Sequence, residues 1–277
     1  KPGIGASIFK KLNEYVETGT IALLEKERNN PLNKLTQVYG IGRKKAEKLI
    51  EQNITSIDQL KEASEKDSKL LHTSQKLGLE YYADLQERIP RAEIEEYQDS
   101  LSKVFLEFAP HNSKFEIVGS FRRNKDTSGD IDIVMTNNDN NTNLFDIFLD
   151  ALIQQNVVIE TLSRGKTKSL TIGKLPNKPA RRLDFLYSPP SEYSFATLYF
   201  TGSKNFNTAM RAYALTLGYS LNEHGLSIME NKKKGALVNA EFDSEESIFK
   251  FLGLQYIEPN KRVGIHDIIP INATEEI

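Results

Sequence analysis

The 277-residue chain contains no cysteine, which excludes disulfides and thiolate metal sites and suits a nuclear or cytoplasmic setting. No run approaches the roughly eighteen apolar residues of a membrane span, and no secretory signal opens the sequence. Histidine is scarce, with four in the chain, and none lies close in sequence to the aspartates singled out below. Neither sign of charge is in excess. With a formal net charge of −2, any grip on nucleic acid must come from local basic patches and backbone N–H groups. The first residue is Lys1 rather than Met, which reads as a trimmed piece of a longer chain. What is present is enough for a substantial core and two or three subdomains.

The most informative stretch runs from Gly119 to Val134. Phe115-Glu116-Ile117-Val118 is mostly apolar and β-prone and ends at Gly119, which predicts a strand entering a turn. A Gly-Ser turn that opens a helix offers free N–H groups to an anion. Ser120 and Arg123 then share one helical face. After Gly129 the pattern becomes a strand of period two. Asp130, Asp132 and Val134 point one way; Ile131, Ile133 and Met135 point the other. Two carboxylates on one strand face are costly without a counter-charge. A divalent ion with oxygen ligands supplies it, and two ions about 3.5–4 Å apart serve in-line phosphoryl transfer. For a bare Asp-x-Asp, an edge strand facing water is the plainer reading. The Gly-Ser turn just upstream moves the balance to nucleotidyl transfer.

Two further segments are alike. Pro2-Gly3-Ile4-Gly5 leads into a helical pattern through Ile8, Leu12 and Val16, and Val38-Tyr39-Gly40-Ile41-Gly42 leads into Ala46, Leu49 and Ile50. Both are similar to the helix-hairpin-helix turn, whose backbone amides meet a DNA phosphate without reading sequence. Gly3, Gly5, Gly40 and Gly42 are the expected DNA contacts. Residues 55–110 read as charged helices interrupted at Pro90. Arg182, Asp184 and Leu186 alternate with Leu183, Phe185 and Tyr187, so Asp184 takes a polar-facing strand position.

Gly119-Ser-Phe-Arg-Arg123 with Ser128-Gly-Asp-Ile-Asp132 resembles the signature of the family X DNA polymerases. The likeness extends through Arg88-Ile-Pro-Arg91, Arg181-Arg-Leu-Asp184, Leu198-Tyr-Phe-Thr-Gly-Ser203, Met210-Arg211 and Leu221-Asn-Glu223. It implies an α+β fold with a helical helix-hairpin-helix N-terminal region, a nucleotidyltransferase palm with a mixed sheet, and a small α+β C-terminal subdomain. The expected boundaries are 1–24 for the remnant of a lyase domain, 25–90 for a helical DNA-binding subdomain, 91–190 for the palm and 191–277 for nucleotide selection.

The resemblance also assigns roles. Asp130, Asp132 and Asp184 are the implied catalytic residues and the ligands of two Mg²⁺ ions, with Mn²⁺ as a substitute. Ser120, Arg123 and Gly129 would hold the nucleotide phosphates. Arg88 is either a further phosphate contact or a partner in a surface salt bridge. Tyr199, Phe200 and Gly202 would line the sugar, Asn207 and Arg211 the minor groove, and Lys168 the template. The carbonyls of Thr36, Val38 and Ile41 match a Na⁺ or K⁺ site. Lys11 matches the Schiff-base lysine of a lyase, or is an exposed lysine on a DNA-facing helix.

Three positions depart from the pattern. Leu186 stands where a member of the family carries an arginine that pairs with a catalytic aspartate. Lys204 stands where relatives are acidic or small, near the incoming base, and Ser7 replaces a phosphate-pocket lysine. The expected function is template-directed gap filling by a monomer acting on gapped or nicked DNA and dNTP. A template-independent terminal transferase and a non-catalytic DNA-end scaffold are the alternatives.

Overall fold

The computed structural model describes residues 5–271; Gly3 lies outside them. The chain divides into two compact units, Lys1–Ala83 and Asp84–Ile277.

The first unit is helical: α1 (Ala6–Thr18), α2 (Ala22–Asn29), α3 (Pro31–Leu35), α4 (Arg43–Glu51), α5 (Ile57–Lys66) and α6 (Thr73–Glu80), after which comes the short α7 (Tyr82–Gln86). Local sequence sets these starts. Asn30 accepts from the Leu32 N–H with Pro31 at the first helical position, and Ser56 accepts from the Gln59 N–H. Leu35, Val38, Ile41, Ala46, Leu49 and Leu60 centre its core. Gly40 turns the chain between α3 and α4 at φ +81°, and its carbonyl accepts from the Gln75 side chain at 2.8 Å. By contrast α1 buries no residue, and Phe9, Tyr15 and Val16 along it are more than half exposed.

The second unit is mixed α+β. A two-residue strand β1 (Ile89–Pro90) leads into α8 (Arg91–Phe108), β2 (Ser113–Ile117), the single turn α9 (Gly119–Arg122), β3 (Thr127–Ser128) and β4 (Ile131–Asn137). Then follow α10 (Asn143–Gln154), β5 (Val158–Arg164), β6 (Lys168–Gly173) and β7 (Arg181–Tyr187). The five-stranded sheet has the order β2-β4-β7-β6-β5, with β4 and β7 parallel and the other pairs antiparallel. Ile131, Ile133, Met135, Leu183, Phe185 and Tyr187 face a core shared with α8 and α10. Within it Phe105, Phe115, Phe148 and Phe185 form a chain of ring contacts with centroids 5.0–6.0 Å apart.

The remainder comprises α11 (Tyr193–Thr201), α12 (Lys204–Thr216), the antiparallel sheet β8 (Tyr219–Asn222), β9 (Gly225–Glu230) and β10 (Lys233–Leu237), and α13 (Glu245–Phe251). Phe206, Met210, Leu221, Ile248 and Phe249 make its core. A fully buried Arg262 lies among Phe206, Phe249 and Tyr256, and Glu245 holds its guanidinium at 2.6 Å. Among the described residues no helix is long and apolar enough to cross a membrane.

Candidate active site

The parallel register of β4 and β7 sets Asp132 directly beside Asp184. Alternation on both strands keeps these residues off the core side, and Asp130 enters from the residue before β4. One carboxylate oxygen from each of Asp130, Asp132 and Asp184 lies within 4.8 Å of the others. Such crowding is electrostatically unfavourable. Burial, reinforced by Asp130 and then Asp184, pushes the Asp132 carboxyl up to about 7. Burial also pushes Asp184 up to about 6, against the pull of the neighbouring Arg182.

Arg182 is the residue that sequence reasoning missed. Its Nε donates to Asp184 Oδ1 at 3.1 Å, and its terminal nitrogen donates to both Asp130 and Asp184. The leucine at position 186 therefore does not leave the carboxylates without a basic partner, because an arginine four residues earlier on the same strand reaches them. The signal lay in the alternation already used for Asp184, since Arg182 shares its face. Lys168 is close enough to lower both Asp132 and Asp184, and it lines a small recess with these two residues and Phe200.

Gly119 closes the site from behind. It has φ +64°, and a side-chain methyl there would overlap the Asp132 carboxylate. The helix it opens is a single turn, Gly119–Arg122, with Arg123 as its cap. The expected helix-dipole contribution is correspondingly small, because a macrodipole needs a longer run of aligned peptides. Ser120 donates to Ser128 at 2.7 Å, and Arg123 donates to the Thr201 carbonyl at 2.6 Å. Desolvation lowers the Arg123 pKa, an effect that Asp132 partly offsets. Arg88 donates to the Thr127 hydroxyl and carbonyl at 3.2 and 2.8 Å and sits beside Gly129, so its guanidinium is engaged with backbone rather than with a glutamate.

These pieces surround one cavity of about 710 Å³. Its walls include Ser120, Arg123, Asp130 and Asp132 on one side and Tyr199, Phe200, Gly202, Asn207 and Arg211 on the other. Gly202 has φ +71°, and any added Cβ would stand 3.1 Å from Arg123. The Asn207 side chain donates to the Tyr199 carbonyl at 2.6 Å, which ties α12 to α11 beneath the cavity. A second link runs from the α9 turn: Arg122 bonds Glu116, Thr201 and Glu245, and Glu245 in turn bonds Arg262. Gly5, Lys11, Thr36, Val38, Ile41, Gly40 and Gly42 belong to the first unit. There, the Val38 carbonyl accepts from the Ile41 N–H at 3.0 Å.

Three family descriptions match consecutive parts of the chain. These are the fingers domain of DNA polymerase lambda over residues 33–86, the DNA polymerase beta palm over 88–190 and the DNA polymerase beta thumb over 196–263. This chain belongs to the family X DNA polymerases. DNA polymerase lambda of Rattus norvegicus is 34% identical over 94% of the chain and 47% of its own length. DNA polymerase lambda of Arabidopsis thaliana is 31% identical over 94% of the chain and 52% of its own length. DNA nucleotidylexotransferase of Xenopus laevis is 29% identical, again over 94% of the chain, and over 58% of its own length. The chain thus spans about half the length of the curated relatives it matches.

The donor set suits a hard divalent cation. Three carboxylates converge with Arg182 and Lys168 as neighbouring positive charge, two of them held well above the ordinary carboxylate range. Asp130, Asp132 and Asp184 would hold the divalent metal of a family X polymerase, with all ligand atoms oxygen.

Proposed function

We propose that this chain is the polymerising part of a template-directed, gap-filling DNA polymerase of the repair type, adding a dNTP to a primer 3′-hydroxyl. The observation that carries the reading is the convergence of Asp130, Asp132 and Asp184 beside a cavity whose other walls are a phosphate-type turn and the α11–α12 junction. Nucleotidyl transfer forms a bond from the 3′-oxygen to the α-phosphorus and releases pyrophosphate. Bound divalent ions supply Lewis acidity and neutralise phosphate charge.

The chain's own residues do the rest. Ser120, Arg123 and the backbone at Gly129, with Arg88 behind it, receive the β and γ phosphates. Asp184 is the carboxylate that takes the primer hydroxyl proton. Tyr199, Phe200 and Gly202 present a close wall to the sugar, and Asn207 and Arg211 project from α12 towards the base pair. Lys168, at the carboxylate end of β6, meets the template. In the first unit the turn at Gly40 and Gly42, with Gly5 opening α1, grips the DNA backbone on either side of a gap. Thr36, Val38 and Ile41 would hold a monovalent cation, Na⁺ or K⁺, in that turn. Lys11 is the position at which a lyase activity would be sought.

The relative named as a nucleotidylexotransferase makes template-independent addition the competing reading. The short connection of residues 174–180 between β6 and β7 supports templated synthesis, because the resemblance places a long insertion there in template-independent members. The test is extension of a primer at a one-nucleotide gap bearing a 5′-phosphate, set against a single-stranded primer, with and without Mg²⁺. Incorporation of the complementary nucleotide at the gap alone is expected. Equal, untemplated addition to the single strand overturns the assignment.

A further inference from the structure

Lys204 lines the cavity that also holds Ser120, Arg123, Asp130 and Asp132. It is the first residue of α12, and no acidic residue stands in that helix's first turn. A lysine there sits at the positive end of the helix dipole and works against it. Its ammonium has no ion pair or hydrogen bond among the described residues. Of the other two cations lining the cavity, Arg123 is engaged by the Thr201 carbonyl and Arg211 stands two helical turns further along α12; Arg182, outside the lining, is held by Asp130 and Asp184. A cation that is unfavourable where it stands, exposed and turned to a ligand cavity has its counter-charge on the ligand.

The backbone locates that counter-charge. A Cβ added at Gly202 would lie 3.1 Å from the Arg123 guanidinium and 3.4 Å from the Lys204 N, so Lys204 leaves the chain beside the group assigned to the phosphates. Its flexible four-carbon stem lets the ammonium follow an anion held on Arg123.

We propose that Lys204 is a further contact for the phosphate groups of the incoming nucleotide, tightening its binding without reading its base. This rests on the polymerase reading above. An ammonium is a point charge without the planar donor fork that reads base edges. An ionic contact to phosphate is the same for every nucleotide. It therefore lowers the dissociation constant of matched and mismatched nucleotides together and leaves the rate at saturation alone.

The experiment compares Lys204→Met, which keeps the stem and loses the charge, with Lys204→Arg and with Lys233→Met, an equal charge change on exposed strand β10. Two readouts are taken on one-nucleotide-gap DNA. They are single-turnover incorporation of matched and mismatched dNTP, and equilibrium titration of a non-hydrolysable dNTP analogue followed by fluorescence of the DNA. The expected result is a rise of about five-fold in the dissociation constant for Lys204→Met, equal for matched and mismatched nucleotides, with the saturated rate unchanged. The rise shrinks as salt is added, Lys204→Arg restores binding, and Lys233→Met has no effect. An unchanged dissociation constant overturns the proposal. A rise confined to matched or to mismatched nucleotides also overturns it and puts Lys204 on the base pair. If the wild-type chain fails to extend the primer, the polymerase reading falls, and the analogue titration still tests the Lys204 contact.

Discussion

Arg182 ties Asp130 to Asp184, joining the residue before β4 to the middle of β7 through one guanidinium. A divalent ion held by these carboxylates would compete with Arg182 for the same oxygens. Arg182→Met removes the competitor and the guanidinium bonded to Asp130 and Asp184. Without metal, the variant is expected to be less stable at pH 8 by about 1–3 kcal/mol. It should also reach its Mg²⁺-stabilised melting temperature at several-fold lower Mg²⁺ than wild type. Thermal denaturation across a Mg²⁺ series measures both. A higher Mg²⁺ requirement would mean that Arg182 orients the carboxylates more than it competes.

Asp132, held up at about 7 by burial and its neighbouring carboxylates, gives the metal-free fold a pH dependence. Below the ordinary value of 3.8 the group is protonated folded and unfolded alike, so it contributes nothing. As pH rises the unfolded chain ionises first. The metal-free protein therefore loses stability progressively until pH passes about 7. Asp132→Asn is expected to gain about 1–2 kcal/mol over wild type at pH 8 without metal and almost nothing at pH 4. Urea melts at the two pH values check this, and an Asn variant less stable at pH 8 contradicts it.

Gly119 carries both a left-handed backbone and the close approach of Asp132. In Gly119→Ala the methyl has to displace the Asp132 carboxylate. Nucleotide addition should fall by about 100-fold, while unfolding free energy drops by only about 1–2 kcal/mol. Single-turnover kinetics and a denaturant melt on the same preparation separate the two. Retention of near wild-type rates would mean that the carboxylate moves without consequence.

Glu245 is buried between Arg122 and Arg262. Glu245→Gln leaves the fully buried Arg262 with an uncompensated charge, and the expected cost is about 3–5 kcal/mol. Glu25→Gln, which breaks an exposed pair with Arg28 on α2, should leave the melt almost unmoved. Similar effects of the two substitutions would show that burial does not set the strength of the Glu245 links.

The mixed α+β architecture and the convergence of three aspartates were legible because period-two alternation is a local property. Asp132 and Asp184 could be assigned to a strand face without knowledge of the partner strand. Three things were not legible. The engagement of Arg182 depends on the parallel β4–β7 register, and the nearness of Lys168 to the carboxylates depends on the β6–β7 register. The Arg122–Glu245 bond joins residues 123 positions apart, and no periodicity encodes such a pair. Gly-Ser marks where a turn begins, not how many residues follow it in helical geometry, so the single-turn length of α9 is known only from the structure.

Strand β7 lies between β4 and β6, although both of those precede it in the chain. Until Arg181–Tyr187 enters, β4 pairs only with β2 and β6 only with β5, and the sheet is two separate ribbons with open edges. The strand that joins them is also the strand that brings Asp184 and Arg182. During synthesis the chain is thus without a complete carboxylate cluster until its last palm strand is docked. Non-local insertion of this kind is a slow step in folding, and here it is the same event that brings the three aspartates together.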